Sequence, residues 1–258
     1  MLKHKNILLF CMAILVVLGT FYFIYDVKWW AFLLLFLFWL AMTVWGSADI
    51  GLGYFVKTYC NNPNEKQRKI AISFDDGPHP MTAKVLDVLQ KYEVKASFFC
   101  IGKQIEKYPD VFKRIIEEGH VVGNHSYSHS TGFGFSSTDK VVGEIELTND
   151  LIERLSGKKV LLFRPPFGVT NPQISRAVKR TGQFVIGWNN RSLDTVIANE
   201  NTIVARVKRK VVPGGIILLH DTSVKTVAAL EQILLFLQAE NYEVIPVNIL
   251  LNLPAYEN

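Results

Sequence analysis

The stretch KIAISFDDGP, residues 69–78, decides the fold because an apolar run ends abruptly in two carboxylates and a turn. Residues 70–74 have the length and composition of a buried strand, and Gly77-Pro78 is a dipeptide typical of turns. Other short apolar runs along the chain also end in polar side chains. Polar residues that follow parallel strands share one rim of a barrel, where active sites lie. We therefore expect these polar groups to meet.

Short apolar runs alternate with helical patterns from Lys69 onward. This alternation predicts an α/β domain of mainly parallel strands covered by helices. The number of runs predicts a small, incomplete barrel rather than eight complete units. The expected strands are 69–74, 95–100, 120–123, 160–163, 183–187, 215–219 and 243–247, and the expected helices are 81–91, 109–118, 138–155, 171–181, 200–211 and 224–240.

The N-terminal part of the chain contains two long uncharged segments, residues 7–25 and 29–48. As a helix, each is long enough to cross a hydrocarbon core about 30 Å thick. The alternatives are a signal peptide or two buried helices, but no small-residue cleavage site follows the first segment. The predicted organisation is a transmembrane hairpin over 1–48, a juxtamembrane linker over 49–68 and one folded domain over 69–258.

The positions of the basic residues indicate the membrane side of the domain and the kind of partner it binds. The hairpin loop contains only Lys28, so the positive-inside rule places both termini and the domain in the cytoplasm. The net charge is +5, but no basic run is interleaved with aromatic residues, so a nucleic-acid partner is not expected. No protein partner is predicted either. The flanking basic residues are Lys3, Lys5, Lys57, Lys66, Arg68 and Lys69.

A pair of histidines, His125 and His129, lies within the motif HSYSH after the run 120–123. At this spacing two imidazoles meet on one face of a helical turn. With Asp76 as third ligand they would form a His-His-carboxylate set that leaves positions open for water and substrate. Zn²⁺ suits such a set best, although other divalent ions are compatible with it. The alternative is two unrelated surface histidines.

Two further runs end in groups suited to acid–base chemistry. Arg164 follows residues 160–163 and can form a forked pair with a carboxylate, for which Asp75 is the expected partner. His220 follows an apolar run in which Leu218 would line a small apolar pocket. Taken singly, Arg164 is compatible with a rigid surface loop, and His220 alone would favour a core histidine. Together with the two preceding motifs they indicate a metal-dependent hydrolase.

The motifs SFDDGP, HSYSH, RPPFG and LLH, in this order, resemble those of the polysaccharide deacetylase family, the family 4 carbohydrate esterases. The resemblance covers residues 66–248 approximately and does not include the hairpin. It implies a distorted (β/α)7-type barrel. It also implies metal-dependent removal of N-acetyl groups, or O-acetyl groups, from carbohydrates.

The resemblance further implies a role for each site residue. Asp75 would be the general base, oriented by Arg164, and His220 would be the general acid. The backbone N–H of Phe167 would help to hold the oxyanion, and Leu218 would pack near the acetyl methyl group. The metal ligands would be Asp76, His125 and His129.

A fourth motif departs from the family pattern in the run WNNRSLDT, which begins at Trp188. Arg191 stands where the family usually has an acid, and Thr195 stands where it has tryptophan. Asp194 remains and can still polarise His220. Because these residues, with Trp188, would form the wall of the substrate pocket, the departure bears on specificity more than on chemistry.

Three functions follow from these observations. The first is deacetylation of an acetylated glycan or glycolipid by a membrane-anchored enzyme. The second is deacylation or deformylation of a lipid-linked amino sugar at the membrane face, because a cytoplasmic domain could not reach a wall polymer. The third is a non-catalytic, membrane-anchored sugar-binding protein, against which the intact acid, base and ligand sets argue.

Overall fold

The structure is a computed structural model and describes residues 3–257. Met1, Leu2 and Asn258, which the predicted hairpin and domain include, lie outside the described residues. The described chain has one sheet of nine strands. These are β1 (Thr58–Tyr59), β2 (Lys69–Asp75), β3 (Ser97–Cys100), β4 (Val121–Asn124), β5 (Leu162–Phe163), β6 (Phe184–Ile186), β7 (Asn190–Arg191), β8 (Ile216–His220) and β9 (Glu243–Val244).

The sheet is parallel throughout and curls into a half-barrel. Its order is β1-β6-β5-β4-β3-β2-β8-β7, and β9 pairs with the start of β2. The edge strands are β1 and β7, and within the described residues no ladder joins them, although an isolated bridge pairs Asn61 with Gly215 beside β8. The predicted α/β fold of mainly parallel strands is confirmed. The sequence did not predict β1, which lies within 49–68 and pairs with β6, or β7, which pairs with β8.

The helices cover the outside of the half-barrel, except for the first two. Those two form an N-terminal hairpin, as the uncharged segments indicated. The short α4 and α10 were not predicted, and α10 begins at Val247, where the expected strand 243–247 was wrong. The helices are α1 (His4–Ile24), α2 (Trp29–Ala48), α3 (Pro80–Lys91), α4 (Gly102–Lys107), α5 (Pro109–Glu117), α6 (Thr138–Ser156), α7 (Pro172–Thr181), α8 (Glu200–Lys208), α9 (Val224–Ala239) and α10 (Val247–Leu251).

The central strand β2 is the most deeply buried element that carries site residues. Apart from Lys69, all of its residues are buried, because β3 and β8 flank it. The rings of Phe74 and Phe98 stack with centroids 5.0 Å apart. Each large apolar side chain buried in this way stabilises the fold by about 1.5–3 kcal/mol relative to an exposed one. The carboxyl end of β2 is therefore a rigid platform.

The helical hairpin contacts the domain at the end of α2. A Cβ atom at Gly46 would lie 2.2 Å from the ring of Tyr54, so only glycine allows this approach. The backbone N–H of Thr170 donates to Ser47 O at 3.1 Å. Only 6% of the most apolar window of α1 and of α2 is buried, and both helices are long and apolar enough to cross a membrane. The hairpin therefore exposes apolar surface while one end is fixed to the domain.

The turn after β2 predicts a sharp effect of substitution at Gly77. A Cβ atom there would lie 2.2 Å from Oδ2 of the fully buried Asp221. We expect Gly77→Ala to lower the free energy of unfolding by about 1–3 kcal/mol, because the carboxylate cannot move without losing its contacts. Thermal unfolding followed by near-UV circular dichroism measures this change.

Gly143→Ala is the matched control, because a Cβ atom at this position in α6 has no atom within 4 Å. It should raise the free energy of unfolding by about 0.5–1 kcal/mol, through helix propensity. Equal transition temperatures for the two variants would contradict the close packing at Gly77.

Candidate active site

The polar groups that follow β2, β4, β5 and β8 converge at the carboxyl rim of the half-barrel. They surround a cavity of about 230 Å³. Arg164 and Asp194, both buried, lie behind the groups that face this cavity. Of the residues expected at the site, those that line the cavity are Asp75, Asp76, His125, His129, Phe167, Trp188, Leu218 and His220.

A candidate cation site is formed by Asp76, His125 and His129, whose ligand atoms lie within 4.8 Å of one another. Asp76 Oδ1 is 3.5 Å from His125 Nε2 and 3.4 Å from His129 Nε2. This oxygen is buried and has no hydrogen-bond partner among the described residues. A buried, unpaired carboxylate oxygen beside two imidazole nitrogens fits a divalent cation.

Electrostatics favour the ligand forms of Asp76 and His129, whereas the carboxylates of Asp75 and Asp76 outweigh burial and raise the pKa of His125. Burial by itself would raise the pKa of Asp76, but the proximity of His125, together with His220 and His129, lowers that pKa below its usual range. Burial and the charge of His125 lower the pKa of His129. An ionised carboxylate and a neutral imidazole are the forms that bind metal ions.

The ring of His125 is oriented by the backbone. Its Nδ1 lies 2.7 Å from the carbonyl oxygen of Arg164, so an Nδ1–H donor leaves Nε2 free to face Asp76. A second hydrogen bond of this kind fixes both the tautomer and the ring orientation of metal-binding histidines. The loop after β5 therefore determines how the loop after β4 presents its ligand.

The HSYSH segment is an irregular loop, so the predicted helical turn is wrong. Ser126 and His129 have φ values of 64° and 48°, in the left-handed region. The main-chain N–H groups of Tyr127 and Ser128 donate to Glu144 Oε2 at 3.1 and 2.7 Å. These hydrogen bonds to α6 fix the loop that carries both imidazoles. Sequence reasoning missed Glu144, because nothing in its context distinguishes it from any other charged helical residue.

The Arg164 guanidinium is fully buried and contacts the candidate base. Its Nη1 donates to Asp75 Oδ1 at 2.6 Å and to Ser73 Oγ at 3.0 Å. Its Nε and Nη2 donate to the carbonyl oxygens of Ile186 and Gly187, each at 3.0 Å. The partner is Asp75, as expected, but the predicted fork onto that carboxylate is wrong, because strand-end carbonyls take the other donors. Asp75 Oδ2 lies 3.8 Å from His125 Nε2.

The His220 imidazole is paired with Asp194 behind it. His220 Nδ1 lies 2.8 Å from Asp194 Oδ1, and its backbone N–H donates to Asp194 Oδ2 at 2.7 Å. Burial lowers the pKa of His220, but the hydrogen bond and charge of Asp194, with Asp75 and Asp76, raise it to about 9. Ser192 Oγ and Thr226 Oγ1 also donate to Asp194, at 2.9 and 2.8 Å, and the sequence did not identify either.

The remaining predicted residues form the walls of the cavity. Phe167 adopts φ 60°, is half exposed and places its ring 4.7 Å from the ring of His129. Leu218 is buried, and Trp188 packs against the core while facing the cavity. The departures from the family pattern, Arg191 and Thr195, also line it. The cavity therefore has aromatic, aliphatic and cationic walls.

Comparison with known proteins finds relatives that are described as deacetylases of polysaccharide or peptidoglycan. A sequence profile described as Polysaccharide deacetylase matches residues 62–186. The chain is 36% identical over 203 residues to a Peptidoglycan-N-acetylglucosamine deacetylase of Bacillus cereus, covering 73% of this chain and 90% of that one. It is also 36% identical over 188 residues to the Peptidoglycan-N-acetylmuramic acid deacetylase PdaC of Bacillus subtilis, covering 72% of this chain but only 39% of that protein.

A solved structure agrees with these sequences. The crystal structure of a peptidoglycan N-acetylglucosamine deacetylase has a TM-score of 0.72 and 30% identity, covering 78% of this chain and 94% of that one. The half-barrel therefore has the fold of the family 4 carbohydrate esterases. The chain belongs to the polysaccharide deacetylase family, a family of hydrolases, and the resemblance inferred from its four motifs is confirmed.

The geometry of the cation site predicts the effect of removing one imidazole. We expect His129→Ala to weaken the binding of a divalent cation by at least about 100-fold, because one of three protein ligands is lost. Titration of metal-free protein with Zn²⁺ in a calorimeter measures the affinity. His79→Asn is the control, because it removes a histidine outside the cluster and keeps a side-chain acceptor at the start of α3. Equal Zn²⁺ affinity of wild type and His129→Ala would exclude this ligand set.

Proposed function

We propose that this protein is a metal-dependent hydrolase that removes an N-acetyl group from an amino sugar in a glycan or glycolipid. One observation carries the proposal. Asp76, His125 and His129 converge in the same cavity as Asp75 and His220. A ligand set, a base and an acid within one small space are what amide hydrolysis requires.

The ligand set would hold a divalent cation, and Zn²⁺ suits two imidazoles and one carboxylate best. When bound, such a cation supplies positive charge that polarises an acyl carbonyl and lowers the pKa of water. The chain itself supplies the proton transfers. Asp75 accepts a proton from the attacking water at Oδ2, because Arg164 holds Oδ1. His220 donates a proton to the leaving nitrogen, and the products are acetate and a free amine.

Other cavity residues would bind the acyl group and the sugar. The backbone N–H of Phe167 would donate to the oxyanion, and Leu218 would pack against the acetyl methyl group. Asp194 would keep His220 oriented and protonated, while Trp188 would contact the sugar. The relatives' names support an N-acetylglucosamine or N-acetylmuramic acid residue as the substrate unit. Arg191 and Thr195 alter the wall, so a different sugar would be compatible with the same chemistry.

We also propose that α1 and α2 anchor the domain, 69–258, to a membrane, with 49–68 as the connecting segment. Apolar side chains exposed along both helices, such as Phe23 at 87%, support insertion. A signal sequence is the alternative, and the packing of Gly46 against Tyr54 supports a retained hairpin instead. The distribution of lysine and arginine supports a cytoplasmic domain. This placement favours a lipid-linked sugar, from which acetyl or formyl would be released.

A non-catalytic sugar-binding protein is the remaining alternative. Such a protein has no need for a base held by a buried arginine or for an imidazole paired with a buried carboxylate. Both pairs are complete here. The alternative predicts sugar binding without release of acetate or formate, so a product assay separates the two functions.

The proposal predicts the effect of removing the base. The full chain, loaded with Zn²⁺, is incubated with N-acetylated glycans and glycolipids, and acetate and formate are measured. Asp75→Asn should lower the rate by at least about 100-fold, because the amide accepts no proton from water. Asp150→Asn, at an exposed position of α6, should leave the rate unchanged. Full activity of Asp75→Asn would exclude Asp75 as the base.

The Asp194–His220 pair predicts the pH profile. A general acid must be protonated, so activity should fall as the pH rises through the pKa of His220, about 9 in the protein without cation. Asp194→Asn removes the charge that raises this pKa, so the alkaline limb of kcat/KM should move down by roughly two pH units. Thr226→Val removes a hydrogen bond to the same carboxylate but keeps its charge, and should move the limb much less. If the alkaline limb of Asp194→Asn lay at the same pH as that of the wild type, a group other than His220 would cause the limb.

A further inference from the structure

An apolar groove adjoins the active-site cavity on the side of the hairpin. Its volume is about 690 Å³, which is within the range of small-molecule sites. Trp39 and Val44 of α2 form part of one wall, and Val169 and the loop 131–135 form part of the other. Phe167 lines both the groove and the cavity, so the two spaces adjoin at this side chain.

The position of the groove indicates what occupies it. Its α2 wall belongs to a candidate membrane span, and Val44 is 58% exposed there. On the opposite side Phe135 is 96% exposed, although it is a large aromatic residue. Exposed apolar surface of this kind marks membrane or ligand contact. The groove is continuous with the apolar surface that the proposed insertion places among lipid chains, so a hydrocarbon chain can enter it from the bilayer.

The two walls are held in fixed relation by direct contacts. Ser47, which also lines the groove, accepts a hydrogen bond from the N–H of Thr170 at 3.1 Å. Ser175 Oγ donates to the carbonyl oxygen of Phe55 at 2.8 Å. A chain seated in this groove would therefore reach Phe167, whose ring lies 4.7 Å from that of the candidate ligand His129. Phe167 is thus the residue at which the groove meets the cavity of the reacting groups.

We infer that the groove binds the hydrocarbon tail of a lipid-linked amino sugar and holds its head group at the cation site. This inference rests on the proposed hydrolysis and the proposed membrane insertion, and it selects the lipid-linked class among the substrates left open above. The occupant is the tail of the substrate itself, because the groove has α2 as one wall and shares Phe167 with the catalytic cavity. Each methylene buried there favours a long tail over a short one.

The test uses two probes, dodecyl and methyl N-acetyl-β-D-glucosaminide, with the Zn²⁺-loaded full chain in lipid nanodiscs. The measured quantity is the ratio of kcat/KM for the dodecyl probe to that for the methyl probe. Wild type should give a ratio above about 10, and Phe135→Ser should lower it by about five- to tenfold. Ile249→Ser, another exposed apolar residue on the distant α10, should leave the ratio unchanged.

The variants separate groove binding from simple partition. The dodecyl probe concentrates in the bilayer with every variant, so partition alone gives the same ratio in wild type and Phe135→Ser. That result would overturn the inference, and it is also expected if ordinary bilayer lipid fills the groove. Because each ratio compares two substrates of one protein, a loss of folded protein cancels from it.

A binding readout keeps the inference separate from the proposed reaction. A dodecyl probe with a photoreactive diazirine near the chain end is cross-linked to the full chain, which is then digested with trypsin. Label should appear in the tryptic peptides 115–140 and 160–176, and should exceed label in 226–258. Label confined to the hairpin would contradict the inference. Release of neither acetate nor formate from either probe would instead refute the proposed hydrolysis, and the labelling pattern would still decide whether the groove binds the tail.

Discussion

The buried guanidinium of Arg164 is the constraint on which the rest of the site depends. Water does not reach it, so its own N–H groups must find acceptors inside the protein. It contacts Asp75 and Ser73 on β2 and the backbone at the end of β6, and its guanidinium carbon lies 4.0 Å from the centroid of the Phe99 ring. One side chain thus ties together three parts of a half-barrel whose edge strands no ladder joins within the described residues. Removing a single acceptor would leave a buried charge without its partner, which typically costs several kcal/mol.

The position of Arg164 determines how the candidate base and one candidate metal ligand are oriented. Because Arg164 holds one oxygen of Asp75, the other is left on the side of the candidate cation site, and the carbonyl of the same Arg164 residue orients His125. On the far side of the cavity, Asp194 orients His220. The candidate base and the candidate acid are each fixed by a buried partner of opposite charge. Such fixed charges require little reorganisation during a reaction.

The sequence predicted the parts of this arrangement that arise from local pattern. Apolar runs gave the strands, and the polar residues after them gave the rim, because parallel strands end on one side. The sequence could not predict how HSYSH folds, since Ser126 and His129 adopt left-handed conformations in a loop held by hydrogen bonds to β4, α4 and α6. It also missed β1, a two-residue strand whose pairing with β6 depends on tertiary position rather than on periodicity. The same limit applies to the groove, which exists only because α2 packs beside the loop 131–135.

The central claim is that Asp76, His125 and His129 together hold one divalent cation. The X-ray absorption spectrum of the Zn²⁺-loaded full chain tests it most directly, because it reports the atoms bound to the metal. The account predicts a first shell of nitrogen and oxygen at about 2.0–2.2 Å, with the outer-shell scattering of two imidazoles. Sulfur scattering at about 2.3 Å, or the signature of fewer than two imidazoles, would contradict it.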